Sequence, residues 1–208
     1  MNASPLGAGA IAAGTGGCGI SGVILAGGTG RRFGGITKSN IAVDGEKIIS
    51  RIIRTIDDLF SELIIITNTP SEFPDIARIK IAGDHYLNAG PLGGIHSGLK
   101  SSQQDAIFVF AGDMPFLDKE IIAEQIRQFR LNDYDILIPR IGRLIEPLHS
   151  IFRVSVLSRL EMFLAEGNRS VREFISEMNA GYIDLQDSDK NKRAFTNINS
   201  FSDIERIE

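Results

Sequence analysis

The chain has 208 residues, 43% hydrophobic and 23% charged, enough for one α/β domain with a sizeable core, while two full domains would be a squeeze. A formal charge of −4 argues against a protein that coats nucleic acid, which needs a basic face, but not against one that binds a nucleotide. Cys18 is the single cysteine, so neither an intrachain disulfide nor a cysteine zinc cluster can form, and a reducing cytosol is the expected compartment.

No charged side chain occurs from Met1 to Gly30, yet glycine interrupts the run repeatedly, as in Gly14-Thr15-Gly16-Gly17. Such a stretch is a poor signal peptide and a poor membrane helix, so residues 1–20 are read as a flexible Gly/Ala-rich extension and 21–208 as one domain. Gly22–Ala26 is an apolar run that ends in Gly27-Gly28, a buried first strand running into a turn. Glu46–Phe60 carries isoleucines at helical spacing, Leu63–Ile66 is a second buried strand, and Ile79–Ile81 a short third. Pro91–Lys100 predicts a helix with proline in its first turn, where the missing N–H costs nothing. Ala106–Ala111 predicts a fourth strand stopping at Gly112-Asp113, followed by a helix around Ile121–Phe129 and a strand at Tyr134–Pro139. Gly142-Arg143 lies between the apolar arms Ile136–Ile141 and Leu144–Phe152, as in a hairpin. Two helices follow, the second opened by the capping pair Ser170 and Glu173, then a strand at Gly181–Leu185 and a short helix at Phe201–Ile207. Strands alternating with helices imply a mainly parallel sheet covered on both faces, with the ligand site beyond the carboxyl ends of the strands. The loops after Ala26, Ile66, Ile81 and Ala111 are therefore the ones that matter.

The first of these loops runs from Leu25 to Lys38. Its glycines allow the backbone N–H groups close to phosphate oxygens, and Arg31, Arg32 and Lys38 supply positive charge. A dinucleotide fingerprint would need glycine where Phe33 stands, and a Walker A loop would need it where Thr37 stands, so neither applies. Asp113, at the end of a buried strand, is placed either to hold Mg²⁺ with phosphate oxygens or to make a turn. Asp118 is better placed as the cap of the next helix. Asn68 and Asp84 each end a strand and read equally well as turn residues. His85, His96 and His149 lie far apart, without a short ligand pair, and His149 reads as structural.

Leu25-Ala26-Gly27-Gly28 followed by Arg32-Phe33-Gly34 and Lys38 resembles the signature of nucleotidyltransferases with a nucleotide-diphosphosugar transferase fold. Within that group the chain is most similar to molybdenum cofactor guanylyltransferases, from about Ser21 to the C-terminus. The resemblance implies a Rossmann-like three-layer αβα fold with a mainly parallel mixed sheet. It implies Arg32, Lys38 and Asp113 as catalytic residues, with Asp113 binding the metal, Mg²⁺. Nucleotide contacts would come from Leu25, Ala26, Gly27, Lys38, Asn68, Asp84 and Asp113, with support from Asn197 and Asn199 in the closing stretch Phe195–Asn199. Gly90–Gly94 resembles the family's loop near the base, where Gly93 and Gly94 would allow close backbone approach.

The implied reaction is transfer of GMP from GTP to the terminal phosphate of molybdopterin in the cytoplasm, releasing pyrophosphate. The acceptor would be handed over by another cofactor-biosynthesis protein, with no role for nucleic acid or membrane. CTP or a sugar phosphate as substrate, and a nucleotide-binding regulator without chemistry, are the alternatives. One departure stands out: the family usually has aspartate immediately before the loop lysine, and here that residue is Thr37. Ser39-Asn40 likewise replaces the small and apolar residues common after it.

Overall fold

A computed structural model describes residues 19–27, 37–73 and 79–205. The apolar runs read from the sequence become strands because each is bounded by turn-forming residues and buried on both faces. Along β1 (Ile20–Leu25) and β6 (Ala106–Ala111), side chains alternate between two separate cores. Ile24, Phe108 and Phe110 face one, while Val23, Ile107 and Val109 face the other. The first core is completed by α1 (Ile48–Ile56) and α3 (Lys119–Leu131), the second by α2 (Gly90–Ser101), α4 (Leu157–Ala165) and α5 (Val171–Ser176). Helices thus cover both faces of one sheet, the three-layer arrangement that the alternating pattern implies.

The remaining strands are β2 (Ala42–Val43), β3 (Glu46–Lys47), β4 (Leu63–Ile66), β5 (Lys80–Ala82), β7 (Ile136–Ile141), β8 (Leu144–Ile145), β9 (His149–Arg153) and β10 (Ala180–Leu185). The main sheet runs β10-β7-β9-β6-β1-β4-β5, with β8 paired to β7. Pairs β1–β4, β4–β5, β1–β6 and β7–β10 are parallel, and β9 runs antiparallel to both β6 and β7. The chain leaves β1 toward β4 on one side and returns to place β6 on the other. The crevice beyond Leu25 and Ala111 is therefore a topological switch point, where open α/β sheets bind ligands.

Several boundaries move. Ile20 belongs to β1, and the Gly19 carbonyl accepts from Ala106 N at 3.1 Å, so the sheet begins inside the stretch read as an extension. The rest of that extension lies outside the described residues. The expected helix from Glu46 starts only at Ile48, because Glu46–Lys47 pairs with Ala42–Val43 across an Asp44-Gly45 turn. Both turn residues have positive φ, 49° and 76°, as a tight two-residue hairpin demands. Once begun, α1 buries Ile48, Ile49, Ile52 and Ile56 on one face, each worth about 1.5–3 kcal/mol of burial.

The expected hairpin around Gly142-Arg143 forms between β7 and β8 and stops at Ile145. The chain then turns, and β9 inserts between β6 and β7. The Asp118 carboxylate caps α3 by accepting from the Glu120 and Ile121 amides, and the Ser170 hydroxyl caps α5 by accepting from the Glu173 amide. A helix not anticipated, α6 (Asp189–Ala194), is capped by Ser188 and precedes α7 (Phe201–Glu205).

Candidate active site

The carboxyl ends of β5, β4, β1 and β6 open into one cleft of about 440 Å³. In sheet order the loops bring Asp84, Asn68, Leu25–Gly27 and Asp113 to its wall, across three inter-strand gaps or roughly 14 Å. Lys38 closes the same wall from a 3-10 turn at Lys38–Asn40. Leu25, Ala26, Gly27, Lys38, Asn68, Asp84 and Asp113, the nucleotide contacts that the resemblance implied, therefore line a single cleft. Arg31 and Arg32 lie outside the described residues.

At one end of the cleft the Lys38 ammonium donates to Asp113 Oδ2 at 3.2 Å and to Asn199 Oδ1 at 2.7 Å. Asn199 reaches it because the Ile198 amide donates to the Asp113 carbonyl at 2.9 Å and the Ile198 side chain is fully buried. Asn197, on the other side of Ile198, is half-buried; neither it nor Asn199 lines the cleft, and Asn199 meets the site through Lys38. Two hard oxygens, one carboxylate and one carboxamide, thus converge on a single cation. That donor set suits Mg²⁺, which takes one or two protein ligands and completes its shell from substrate phosphates and water. Among the described residues no group of three or more His, Cys, Asp or Glu side chains forms a closed metal cage. Glu146, nearby and largely buried, has its carboxyl raised chiefly by burial; the Leu148 amide and Arg172 oppose this, and the Asp113 charge adds to it.

Asp113 is held by a tight junction. The Gly112 amide donates to the Leu25 carbonyl at 3.0 Å, locking the end of β6 against the end of β1. A Cβ at position 112 would stand 2.7 Å from that carbonyl oxygen and 3.2 Å from Ala26 Cα. Gly112→Ala must therefore push two backbones apart, and a loss of about 1–3 kcal/mol is expected. A thermal melt coincident with that of the parent protein would show that the junction has slack.

The other end of the cleft is built on a reciprocal pair. Asn68 Nδ2 donates to Asp84 Oδ2 at 3.0 Å, and the Asp84 amide donates to Asn68 Oδ1 at 3.0 Å. The second carboxylate oxygen, Asp84 Oδ1, is buried without a hydrogen-bond partner among the described residues. Burial raises the Asp84 carboxyl above its ordinary value, with the Asn68 amide and His85 pulling it back down. Asn88, with φ of 61°, also lines this end; it is absent from the residues expected from sequence, and the signal for it is that asparagine tolerates the left-handed conformation, two residues before Gly90-Pro91.

One expectation changes, for Gly93, while those for Gly94 and His149 hold. Gly93 does not line the cleft: a Cβ there would meet the Tyr86 carbonyl oxygen at 2.8 Å, so its missing side chain serves the packing of α2. Gly94 does line the cleft, and it also admits the Leu25 side chain, 3.0 Å from where its Cβ would be. His149 is fully buried, bonded through Nδ1 to Gln125 Oε1 at 2.9 Å and packed edge-on against Phe108, Phe110 and Phe195. Burial lowers its pKa to about 4, so it is a neutral structural residue.

Thr37, the departure from the expected aspartate, is buried and anchors the turn. Its amide donates to Glu72 Oε2 at 3.0 Å, and its hydroxyl pairs with Thr69 Oγ1 at 3.2 Å. Asn40 Nδ2 reaches the same Glu72 oxygen at 3.2 Å. Burial alone would raise the Glu72 carboxyl, but the hydrogen bonds from Thr37, Asn40 and Thr69 outweigh it and hold it below the usual range. Glu72 thus holds the turn on either side of the loop lysine, while Lys38 itself pairs with Asp113.

Residues 22–181 match the MobA-like NTP transferase domain family. The chain belongs to that family. A relative from Natranaerobius thermophilus, named "Probable molybdenum cofactor guanylyltransferase", is 33% identical over 195 residues, spanning 90% of this chain and 94% of its own. Another, from Desulfosudis oleivorans and named molybdenum cofactor guanylyltransferase, is 30% identical and spans 91% of this chain and 94% of its own. Among solved structures, molybdopterin-guanine dinucleotide biosynthesis protein A from Archaeoglobus fulgidus matches with a TM-score of 0.77 at 25% identity, over 90% of this chain and 96% of that one. As a MobA-like NTP transferase, the protein is a nucleotidyltransferase. Among its described residues no helix is long and apolar enough to cross a membrane.

Proposed function

We propose that this nucleotidyltransferase transfers GMP from GTP to the terminal phosphate of molybdopterin in the cytoplasm, forming the guanine dinucleotide cofactor and releasing pyrophosphate. The acceptor follows from the names of the relatives. The names of the relatives and the cleft both support guanine as the base, and the observation that carries this reading is Asp84. Its Oδ1 is a buried acceptor with no partner, beside an Asn68 that already satisfies Oδ2. Guanine presents two adjacent donors, N1–H and N2–H₂, which a carboxylate can accept together. Cytosine presents one donor beside the N3 lone pair, which a carboxylate repels. An idle buried carboxylate oxygen is costly, and guanine removes that cost on binding.

The base would thus lie over Asp84 and Asn68, with the ribose and phosphates crossing Leu25–Gly27 toward Lys38 and Asp113. Asp113 and Asn199 would hold Mg²⁺, which neutralises charge on the donor phosphates when bound. Lys38 contributes a compact positive charge to the oxygens that become pyrophosphate. A phosphate acceptor is already ionised at neutral pH, so alignment and charge neutralisation are what the site has to provide, and no general base is required. Arg32 is assigned to the same phosphates on the resemblance of its loop.

Asp84→Asn should lower kcat/KM with GTP by about 10- to 100-fold, the worth of a charge-assisted hydrogen bond, while affecting CTP far less. An unchanged ratio of GTP to CTP turnover would remove Asp84 from base selection. The whole reading is tested by incubating the protein with Mg²⁺, molybdopterin and either GTP or CTP and weighing the product. A dinucleotide formed from CTP alone would overturn the guanylyl assignment.

A further inference from the structure

Ser39 follows the loop lysine directly and lines the cleft, yet it is only 1% exposed and its Oγ has no hydrogen-bond partner among the described residues. Buried hydroxyls are normally bonded, because an idle one forfeits its hydrogen bonds to water and gains nothing in return. Nor is the turn that carries it free to swing the residue outward. The Asn40 amide donates to the Thr37 carbonyl at 2.9 Å and the Ile41 amide to the Lys38 carbonyl at 3.0 Å. Glu72 clamps the turn on both sides of Ser39, through the Thr37 amide and the Asn40 side chain. On the remaining side the Ser39 Cβ packs against the Gly112 backbone, one residue before Asp113. An alanine would fill the same space without burying an unused donor.

We propose that the Ser39 hydroxyl belongs to the phosphate-binding end of the cleft and donates a hydrogen bond to an anionic oxygen of the bound triphosphate. This rests on the cleft being the nucleotide site. Ser39 sits between Lys38, whose ammonium reaches Asp113, and the Gly112–Asp113 junction, so a phosphate at that end meets it. A neutral donor there complements the lysine: it adds direction to the grip without adding charge.

The test compares the full-length protein with its Ser39→Ala variant. Dissociation constants are measured calorimetrically for Mg²⁺-GTP and for guanosine, alongside the melting temperature of each ligand-free protein. The expected result is binding of GTP weakened about tenfold or more, with guanosine binding unchanged. Without ligand, removing an idle buried hydroxyl should raise the Tm by roughly 2–4 °C. Loss of affinity together with a gain in stability is a pairing that a scaffold role cannot produce. If the parent protein binds GTP and the variant binds it equally well, the assignment of Ser39 is overturned while the nucleotide site stands. Equal weakening toward guanosine would overturn the phosphate contact, and a lower Tm with unchanged affinity would make Ser39 a scaffold residue. If the parent protein binds no GTP, the reading of the cleft itself falls.

Discussion

Lys38→Ala should lower kcat by about 10²- to 10³-fold, the range seen when one preorganised electrostatic contact is removed from a reacting centre. The ammonium touches both Asp113 Oδ2 and Asn199 Oδ1, at 3.2 and 2.7 Å, and so ties the end of β6 to the C-terminal segment. Its side chain is a third exposed, so solvent screens the pair and the melting temperature should barely change. Lys38→Arg should restore the rate only in part, since a planar fork does not reproduce a compact point charge between two oxygens. Single-turnover measurement of pyrophosphate release separates this loss from weaker binding. A variant that releases pyrophosphate at close to the parental rate would take Lys38 out of the chemistry.

Asp113→Asn should have the next largest effect, raising the Mg²⁺ concentration for half-maximal rate by at least tenfold and lowering the rate about 10²-fold at saturating metal. Substitution by asparagine keeps the shape of the side chain and leaves untouched the backbone bond that the Asp113 carbonyl accepts from Ile198 at 2.9 Å. What it removes is the only formal negative charge in the pair of oxygens that meets Lys38. The measurement is a Mg²⁺ titration of initial rate beside a thermal melt. A superimposable titration would leave Asp113 as a partner of Lys38 and nothing more.

The sequence reveals most where local pattern and global fold coincide. Leu63–Ile66 and Ala106–Ala111 are apolar runs that can only be interior strands, and the structure gives both the same bounds. Asp113 was visible for the same reason, as a charged residue at the abrupt end of such a run. The position of β9 was not, because pairing between β6 and β7 depends on contacts remote in sequence, and its own residues fit a hairpin equally well. Asp44-Gly45 did announce a turn, but the isoleucine spacing of α1 drew the helix start back over Glu46. Helix α6 buries little besides Ala194, so there was no apolar stripe from which to read it.

Within the cleft, the types of residue were legible but their partners were not. Asn68 and Asp84 were each readable as turn residues, and only the hydrogen bonds between them leave one carboxylate oxygen idle. Thr37 reads in sequence as a missing acid, whereas in the fold it is a buried anchor whose amide is held by Glu72, 35 residues further along on another loop.

The contact between Lys38 and Asn199 joins residues 161 positions apart. At about 5–20 residues per second, roughly 10–30 s of translation separates their synthesis. Leu25–Gly27, Lys38, Asn68, Asp84 and Asp113 all precede that interval's midpoint or lie close to it, whereas the oxygen that completes the reacting end comes almost last. On the proposed function, a nascent chain would thus make the residues assigned to the donor well before the one that meets Lys38 from the far end, and a chain interrupted before Asn199 is expected to lose turnover before it loses nucleotide binding.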